Sequence, residues 1–233
     1  MGRTKAKIFS QPDEFTCGPT ALKTAMGIMG LRSPSLKSLI KLCRTNQNGT
    51  SVRKLIAAAN RLGLSVLALE WASLRHLQAA LRHHSQKPRA VIVDYLYDLN
   101  EDESPHEDSG HYAAVASYSN RNARIVLLDS SNGKKRSYLW SDFLNRWYDF
   151  DFKRRQIKNG PGRHFRLVKN WNNRLMLVVA RNPKFLPKFK ISTAKLFLPL
   201  KPSRLPSIRR PNKTKTSPPR SLLAPPTTHI QPF

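Results

Sequence analysis

The apolar positions of this chain follow a helical spacing first and a strand-like pattern later. A recurrence every three to four residues predicts helices at residues 21–29, 36–42, 52–62 and 73–83. Runs rich in Val, Ile, Ala and Tyr predict strands at residues 90–95, 111–119, 124–129 and 175–180, with one more short helix at 140–147. Helices that precede antiparallel strands are typical of an α+β fold rather than of an alternating parallel one.

Cap and turn residues support several of these boundaries. Thr50 and Ser51 offer a cap for the third helix, and Gly63 follows it where a helix commonly ends in glycine. The segment Asn-Arg-Asn-Ala at residues 120–123 predicts a hairpin turn between the second and third strands. These two strands should therefore lie side by side.

The composition changes abruptly after residue 182. Residues 183–233 hold 11 of the 17 prolines and 11 Lys or Arg, but no Asp, Glu or Gly. Such a segment cannot bury enough apolar surface to offset the entropy lost on ordering. We therefore expect an ordered domain at residues 1–182 and a basic, proline-rich, disordered tail at residues 183–233.

The acidic residues are concentrated in one stretch. Seven of the 14 Asp and Glu residues lie between Asp94 and Asp108. The stretch also contains Ser104 and Pro105 and has no long apolar pattern. It is predicted to be a solvated loop between two strands.

Charge, hydropathy and cysteine content exclude several classes of protein for this chain. Lys and Arg number 41 against 14 Asp and Glu, which gives a net charge of +27. No apolar run approaches the ~18 residues that a membrane-spanning helix needs, and the N-terminus lacks the apolar core of a secretory signal. The two cysteines exclude a disulfide scaffold and a four-cysteine zinc site. These features predict a cytoplasmic protein without a transmembrane segment.

Cys17 stands where a loop enters an apolar-periodic helix. Pro19 follows it and suits the first helical turn, because the N–H that proline lacks would have no partner there. A thiol at this position experiences the positive end of the helix dipole, which favours the thiolate and predicts a nucleophile. The alternative for a lone cysteine is a small core residue. Cys43, at the end of an apolar stripe, is interpreted in that way.

A thiolate nucleophile needs a histidine oriented by a third group. Among the seven histidines, His111 is the one that begins an apolar strand directly after a glycine. Asp129 ends the neighbouring strand, so a hairpin at residues 120–123 would place its carboxylate beside the His111 ring. Taken alone, Asp129 is also a common turn residue, and His111 is equally a packing residue at a strand end.

These residues resemble a known family, the papain-like cysteine peptidases of the bacteriocin-processing, double-glycine leader type. The resemblance covers most of residues 8–150. It is carried by Gln11, Cys17-Gly-Pro, Gly-His111-Tyr, and Asp129 with Gly133, and by Gly49-Thr-Ser, Leu62-Gly-Leu, Phe143 and Trp147. The resemblance implies a papain-like fold with N-terminal helices packed on an antiparallel sheet.

The resemblance also implies the roles of the site residues. Cys17 would be the nucleophile, His111 the general base and acid, and Asp129 the residue that orients His111. Gln11 would donate to the oxyanion together with the backbone N–H of Cys17. The implied reaction is hydrolysis of a peptide or protein substrate through an acyl-enzyme, and it requires no cofactor.

Other functions remain open at this stage. The net charge and the basic clusters at residues 134–136, 153–155 and 209–210 are compatible with a nucleic-acid or anionic-surface binder, through the basic tail above all. Acyl transfer or deamidation would use the same thioester as hydrolysis. A zinc site at His106 and His111 is rejected because the two are five residues apart and flanked by Pro and Gly.

Overall fold

The computed structural model describes residues 7–82, 88–98, 110–157 and 164–199. Its helices are α1 (Cys17–Ile28), α2 (Leu36–Cys43), α3 (Val52–Arg61), α4 (Leu74–Leu81) and α5 (Trp140–Arg146). Its strands are β1 (Ser65–Leu69), β2 (Arg89–Leu96), β3 (Gly110–Ser119), β4 (Arg124–Asp129), β5 (Lys134–Leu139), β6 (Tyr148–Ile157), β7 (His164–Asn173), β8 (Met176–Ala180) and β9 (Ala194–Phe197). The predicted α+β class is confirmed.

Seven of these strands form one antiparallel sheet. Their order is β5-β4-β3-β2-β8-β1-β9, so β8, which is late in the chain, lies in the middle of the sheet. β3 and β4 are joined by the predicted hairpin, with Ser119 opposite Arg124 and Ala114 opposite Leu128. β6 and β7 pair with each other in a separate two-stranded sheet.

Helices cover both faces of the large sheet. Alternate residues of β8 point to opposite faces, which explains why the whole strand is buried and apolar. Leu177 and Val179 pack in the cluster that contains α1 and α3, whereas Met176 and Val178 pack in the cluster that contains α4 and α5. The site described below lies where α1 meets β3 and β4.

The helix boundaries agree with the cap and turn residues. Ser51 occupies the N-cap position of α3, and Gly63 follows this helix with a φ of +76°, a conformation that glycine adopts without strain. Ser73 and His76 form a reciprocal capping box at the start of α4. The Ser35 hydroxyl accepts a hydrogen bond from the Ser38 N–H and caps α2.

The predicted disorder from residue 183 onwards is wrong for residues 183–199. A short 3-10 helix spans Pro183–Phe185, and β9 then pairs with β1 as an edge strand of the large sheet. The anchor for the first of these segments is Arg89, a buried side chain that donates hydrogen bonds to the carbonyls of Ala80 (2.7 Å) and Phe185 (2.8 Å). The chain divides into units at residues 1–200 and 201–233, and the second unit lies outside the described residues.

The acidic stretch begins inside β2, where the predicted strand at residues 90–95 includes its first acid. Asp94 belongs to β2 and is buried, with its Oδ2 accepting a hydrogen bond from Asn172 Nδ2 at 3.3 Å. This buried carboxylate is satisfied by a partner that lies far along the chain. Residues 99–109 lie outside the described residues.

Candidate active site

Cys17 is the first residue of α1 and is buried, with 5% of its surface exposed. The start of the helix is tightly packed. A Cβ on Gly18 would stand 3.0 Å from the Thr50 Cβ, closer than ordinary contact. Glycine after the cysteine therefore lets the start of α1 approach the segment that enters α3.

His111 and Asp129 are joined by a hydrogen bond at one end of the β3–β4 hairpin. The His111 Nε2 donates to Asp129 Oδ1 over 3.1 Å, and both side chains are buried. The contact arises because His111 is near the start of β3 and Asp129 ends β4. Since Nε2 is engaged by Asp129, Nδ1 is the ring nitrogen left for the thiol.

The protonation of His111 is shaped by these neighbours. Burial alone would lower the pKa of His111, but hydrogen bonds and charge interactions with Asp129 and Cys17 outweigh it and raise the pKa to about 9. The structure therefore brings Cys17, His111 and Asp129 together. An imidazole ring beside a thiol is the arrangement that cysteine nucleophiles use in general.

Asp129 is held by further groups. Its Oδ1 also accepts the backbone N–H of Ser131 at 2.9 Å, and its Oδ2 pairs with Arg136 Nε at 3.0 Å. Burial would raise the pKa of Asp129, but the hydrogen bonds from His111 and Ser131 outweigh it and lower this pKa. Asp129 is therefore an anion in a fixed orientation.

Arg136 is a site residue that the sequence analysis missed. It was grouped with Lys134 and Lys135 as a surface cluster, but its guanidinium stacks on the Tyr97 ring at 3.7 Å and donates to the Tyr138 hydroxyl at 3.1 Å. Residues 134–139 are too polar for the sequence to predict strand β5. In β5, Arg136 pairs with Leu127 of β4, which puts its side chain on the same face as Asp129.

Two tyrosines line the His111 ring. The rings of Tyr97 and His111 lie 5.2 Å apart, and those of Tyr95 and His111 lie 5.7 Å apart in an edge arrangement. Tyr97 therefore contacts both Arg136 and His111, and it covers the Asp129 side of the site with an aromatic surface. Neither tyrosine was predicted from the sequence, because nothing in their spacing marks them.

Gln11 lies on the Asp129 side of the site. Its backbone N–H donates to the Ser130 carbonyl at 2.8 Å, and its side-chain Oε1 accepts the Ser130 hydroxyl at 2.7 Å. The second contact holds the side-chain amide of Gln11 by its oxygen, so the Nε2 donors point away from Ser130. Donation from Nε2 to an oxyanion at Cys17 stays a prediction.

The other candidate residues take no part in this site. Cys43 is buried in the helical core, and burial raises its pKa to about 12. His106 lies outside the described residues, and within the described ranges no three His, Cys, Asp or Glu side chains cluster in a way that could hold a metal ion.

The architecture defines the class of this protein: it has the fold of a C39 peptidase domain. The chain belongs to the Peptidase_C39 like family, whose sequence profile matches residues 4–154. It is therefore assigned to the peptidases. No match was found among curated proteins.

Solved peptidase domains are similar to this chain. The peptidase domain of Streptococcus ComA, a bi-functional ABC transporter involved in a quorum sensing pathway, is 18% identical with a TM-score of 0.52, over 75% of this chain and 98% of that domain. The Streptococcus mutans ComA peptidase domain is 16% identical with a TM-score of 0.46, over 75% and 98%. A double glycine motif protease from an AMS/PCAT transporter, solved with its leader peptide, is 14% identical with a TM-score of 0.46, over 63% and 88%.

Among the described residues of this chain, we find no helix with both the length and the apolar character needed to cross a membrane.

Proposed function

We propose that this protein is a cysteine peptidase that hydrolyses peptide bonds through an acyl-enzyme on Cys17. The observation that carries the proposal is the contact chain from Cys17 through His111 to Asp129, in which the pKa of His111 is raised to about 9. Its substrate class is a peptide or protein. The proposed catalytic unit lies within residues 7–199, and the sequence of residues 201–233 is basic.

The first step is attack of the thiolate on the scissile carbonyl. The Cys17 Sγ–C bond forms while the carbonyl π electrons move to oxygen, which gives a tetrahedral oxyanion. Gln11 Nε2 and the backbone N–H of Cys17 are the proposed donors to that oxyanion. Fixing Gln11 through its Oε1 on Ser130 supports this role, because a donor that is already oriented needs no rearrangement during the reaction.

The second step is loss of the amine. His111, as imidazolium, gives its Nδ1 proton to the leaving nitrogen while the C–N bond breaks, and a thioester remains on Cys17. Water then attacks the thioester with its proton passing to His111, and the acid product and thiolate are released. Asp129 holds the ring through Nε2 and stabilises the imidazolium throughout.

Hydrolysis and transfer to an amine share the thioester. The proposal favours water as the acceptor because the family profile is that of a peptidase. Adding an amine such as glycinamide to the reaction separates the two: hydrolysis predicts a free acid as the main product, whereas an acyltransferase would give mainly the amide.

The proposal is tested by screening a library of fluorogenic peptides with the full chain. We expect turnover by the native chain, and a loss of at least about a thousandfold in kcat for Cys17→Ala and for His111→Ala. Cys43→Ala is the matched control, because it removes the other thiol and should keep the turnover. Turnover that survives in Cys17→Ala would contradict the proposal.

A further inference from the structure

The β6–β7 hairpin is a long ribbon that the catalytic chemistry does not use. It pairs from Tyr148 with Asn173 to Ile157 with His164, so its ten-residue strands extend for ~30 Å. An isolated two-stranded ribbon is marginally stable in water, so one face of such a ribbon commonly packs against something.

One face of the hairpin is aromatic. Because cross-strand partners share a face, Phe150 and Trp171 lie on the same side as Phe165 and Lys169. Phe165 is 47% exposed and Trp171 is 45% exposed, and the Phe150 and Trp171 rings pack edge to face at 5.3 Å. Lys169 Nζ lies 4.6 Å from the centre of the Phe150 ring. Apolar surface and positive charge are therefore presented together.

The hairpin is strongly basic away from its base. Residues 148–173 contain seven Lys or Arg and two Asp, and both acids, Asp149 and Asp151, lie near the start of β6. Arg155 and Arg166 are opposite each other and exposed. Beyond Asp151 the ribbon carries no negative charge, so it attracts anionic groups over about a Debye length of ~10 Å.

The base of the hairpin adjoins the active site. A Cβ placed on Gly110, the residue before His111, would overlap the Asp149 carboxylate, so β6 passes directly against the start of β3. Asn172 in β7 donates to Asp94 in β2 and fixes the same end of the ribbon. From Asp149, the ribbon positions of Lys169 and Arg155 lie ~10 and ~20 Å away along the strands.

We propose that the β6–β7 hairpin is a docking site for acidic polypeptide substrates with apolar residues, which it delivers to Cys17; the proposal rests on the peptidase function above. Anionic side chains would pair with Lys169, and apolar ones would pack on Phe165 and Trp171, which share its face. Arg155 and Arg166 lie on the opposite face of the ribbon and add to the attraction at longer range. An extended substrate would place its acidic segment ~3–6 residues from the scissile bond, at about 3.3 Å per residue. A nucleic acid would also meet the positive charge, but the hairpin leads to a peptidase site, which favours a polypeptide.

The binding test uses the full chain with Cys17→Ala, so that it is independent of turnover. Fluorescence anisotropy would compare a fluorescein-labelled acidic peptide, four repeats of Glu-Glu-Leu-Gly, with its Gln-for-Glu counterpart at about 50 mM salt. We expect the acidic peptide to bind at least about tenfold more tightly, and its affinity to fall as salt rises.

Charge variants locate the docking site. Arg166→Gln with Lys169→Gln should weaken binding of the acidic peptide at least about fivefold, and Trp171→Ala should weaken it by a similar factor. Lys37→Gln with Lys41→Gln is the matched control: it also removes two exposed cations, from α2, and should change binding less than about twofold. Circular dichroism checks that each variant is folded.

Three results would overturn the proposal. These are equal affinity for the neutral peptide, unchanged affinity in the charge variant of the hairpin, and tighter hairpin-dependent binding of oligothymidine than of the acidic peptide. In the active chain, adding the Glu-containing repeats to a cleaved peptide should lower KM with kcat unchanged. An unchanged KM in a chain that still cleaves would overturn delivery to Cys17, whereas no cleavage of any peptide with binding intact would count against the peptidase function instead.

Discussion

At the scale of residues, Asp129 is the point where the charges of the site meet. It accepts from His111 with one oxygen and pairs with Arg136 through the other. A carboxylate held on both oxygens cannot rotate, so the imidazole that it orients is also fixed. Against the effect of burial, the interactions of His111 with Asp129 and Cys17 raise the pKa of His111 to about 9.

The pH dependence of activity should report that pKa. Because the folded-state pKa of His111 lies above its ordinary value of 6.5, the imidazolium is fully present below about pH 6.5 and is lost as the pH rises through about 9. We expect kcat/KM to fall with an alkaline midpoint near 9. The stabilisation from this group should be lost over the same window.

Asp129→Asn tests the cause of the shift. Removing the carboxylate leaves burial as the dominant influence on His111, so the alkaline midpoint should move down by at least about one pH unit. The pH profile of kcat/KM and the NMR titration of the His111 ring carbon measure it. An unchanged midpoint in both measurements would show that Asp129 does not set this pKa.

Arg136→Gln should lower both stability and kcat. The variant leaves the buried Oδ2 of Asp129 without its ion-pair partner, at a cost of about 1–3 kcal/mol in the free energy of unfolding. Urea unfolding and steady-state kinetics measure the two effects. Arg124→Gln is the matched control, because Arg124 donates to Ser137 on the exposed side of the same strand pair. Equal effects of the two substitutions would contradict a special role for Arg136.

The two cysteines should differ in reactivity. Cys43 is buried and its pKa is raised to about 12, whereas Cys17 contacts His111, so iodoacetamide at neutral pH should modify Cys17 at least about tenfold faster. Mass spectrometry of the two peptides over time gives both rates. Comparable rates in the folded chain would argue against Cys17 as the nucleophile.

Sequence alone located the residues that have local signals. Cys17 lies at a helix start marked by proline, and His111 and Asp129 lie at the ends of two apolar strands joined by a recognisable turn. Arg136 and Tyr97 have no such signal. They reach the site because segments that are distant in the chain pair as strands and stack their rings. Local sequence patterns do not predict such long-range contacts.

At the scale of elements, local physics explains which predictions succeeded. The helices and β2, β3, β4 and β8 were predicted because each buries a regular apolar pattern. β5 and β9 are edge strands. β5 is mostly polar and β9 has only four residues, so the apolar pattern of both is weak. The segment after residue 182 was assigned to the tail by composition, although Phe185 and Leu186 pack in the core that contains α4 and α5.

Truncation separates the structural part of the C-terminal region from the rest. A chain that ends at residue 199 retains β9 and should unfold at the same urea concentration as the full chain. A chain that ends at residue 182 loses β9 and the buried Leu186, and should be destabilised by at least about 3 kcal/mol. Equal stability of the two truncated chains would show that residues 183–199 do not support the sheet.

At the scale of the whole molecule, the excess of positive charge has a testable consequence. Residues 201–233 contain seven of the 41 Lys and Arg and no acid. A chain that ends at residue 199 should bind heparin more weakly than the full chain, with a shallower dependence on salt. Its hydrolysis of a small uncharged peptide should be unchanged, because Cys17, His111 and Asp129 are all retained. A loss of that hydrolysis would mean that residues 201–233 contribute to the site.

The position of β8 sets the order in which this enzyme matures on the ribosome. β8 lies between β2 and β1, so both of these strands wait for residues 176–180 to be synthesised before the sheet can close. Cys17 is translated early, yet α1 has only part of its packing surface until that late strand arrives. Residues 4–154, which match the family profile, end before β8, so we expect that they do not fold alone. We therefore expect the proposed peptidase activity to appear only after residues 176–180 have been synthesised.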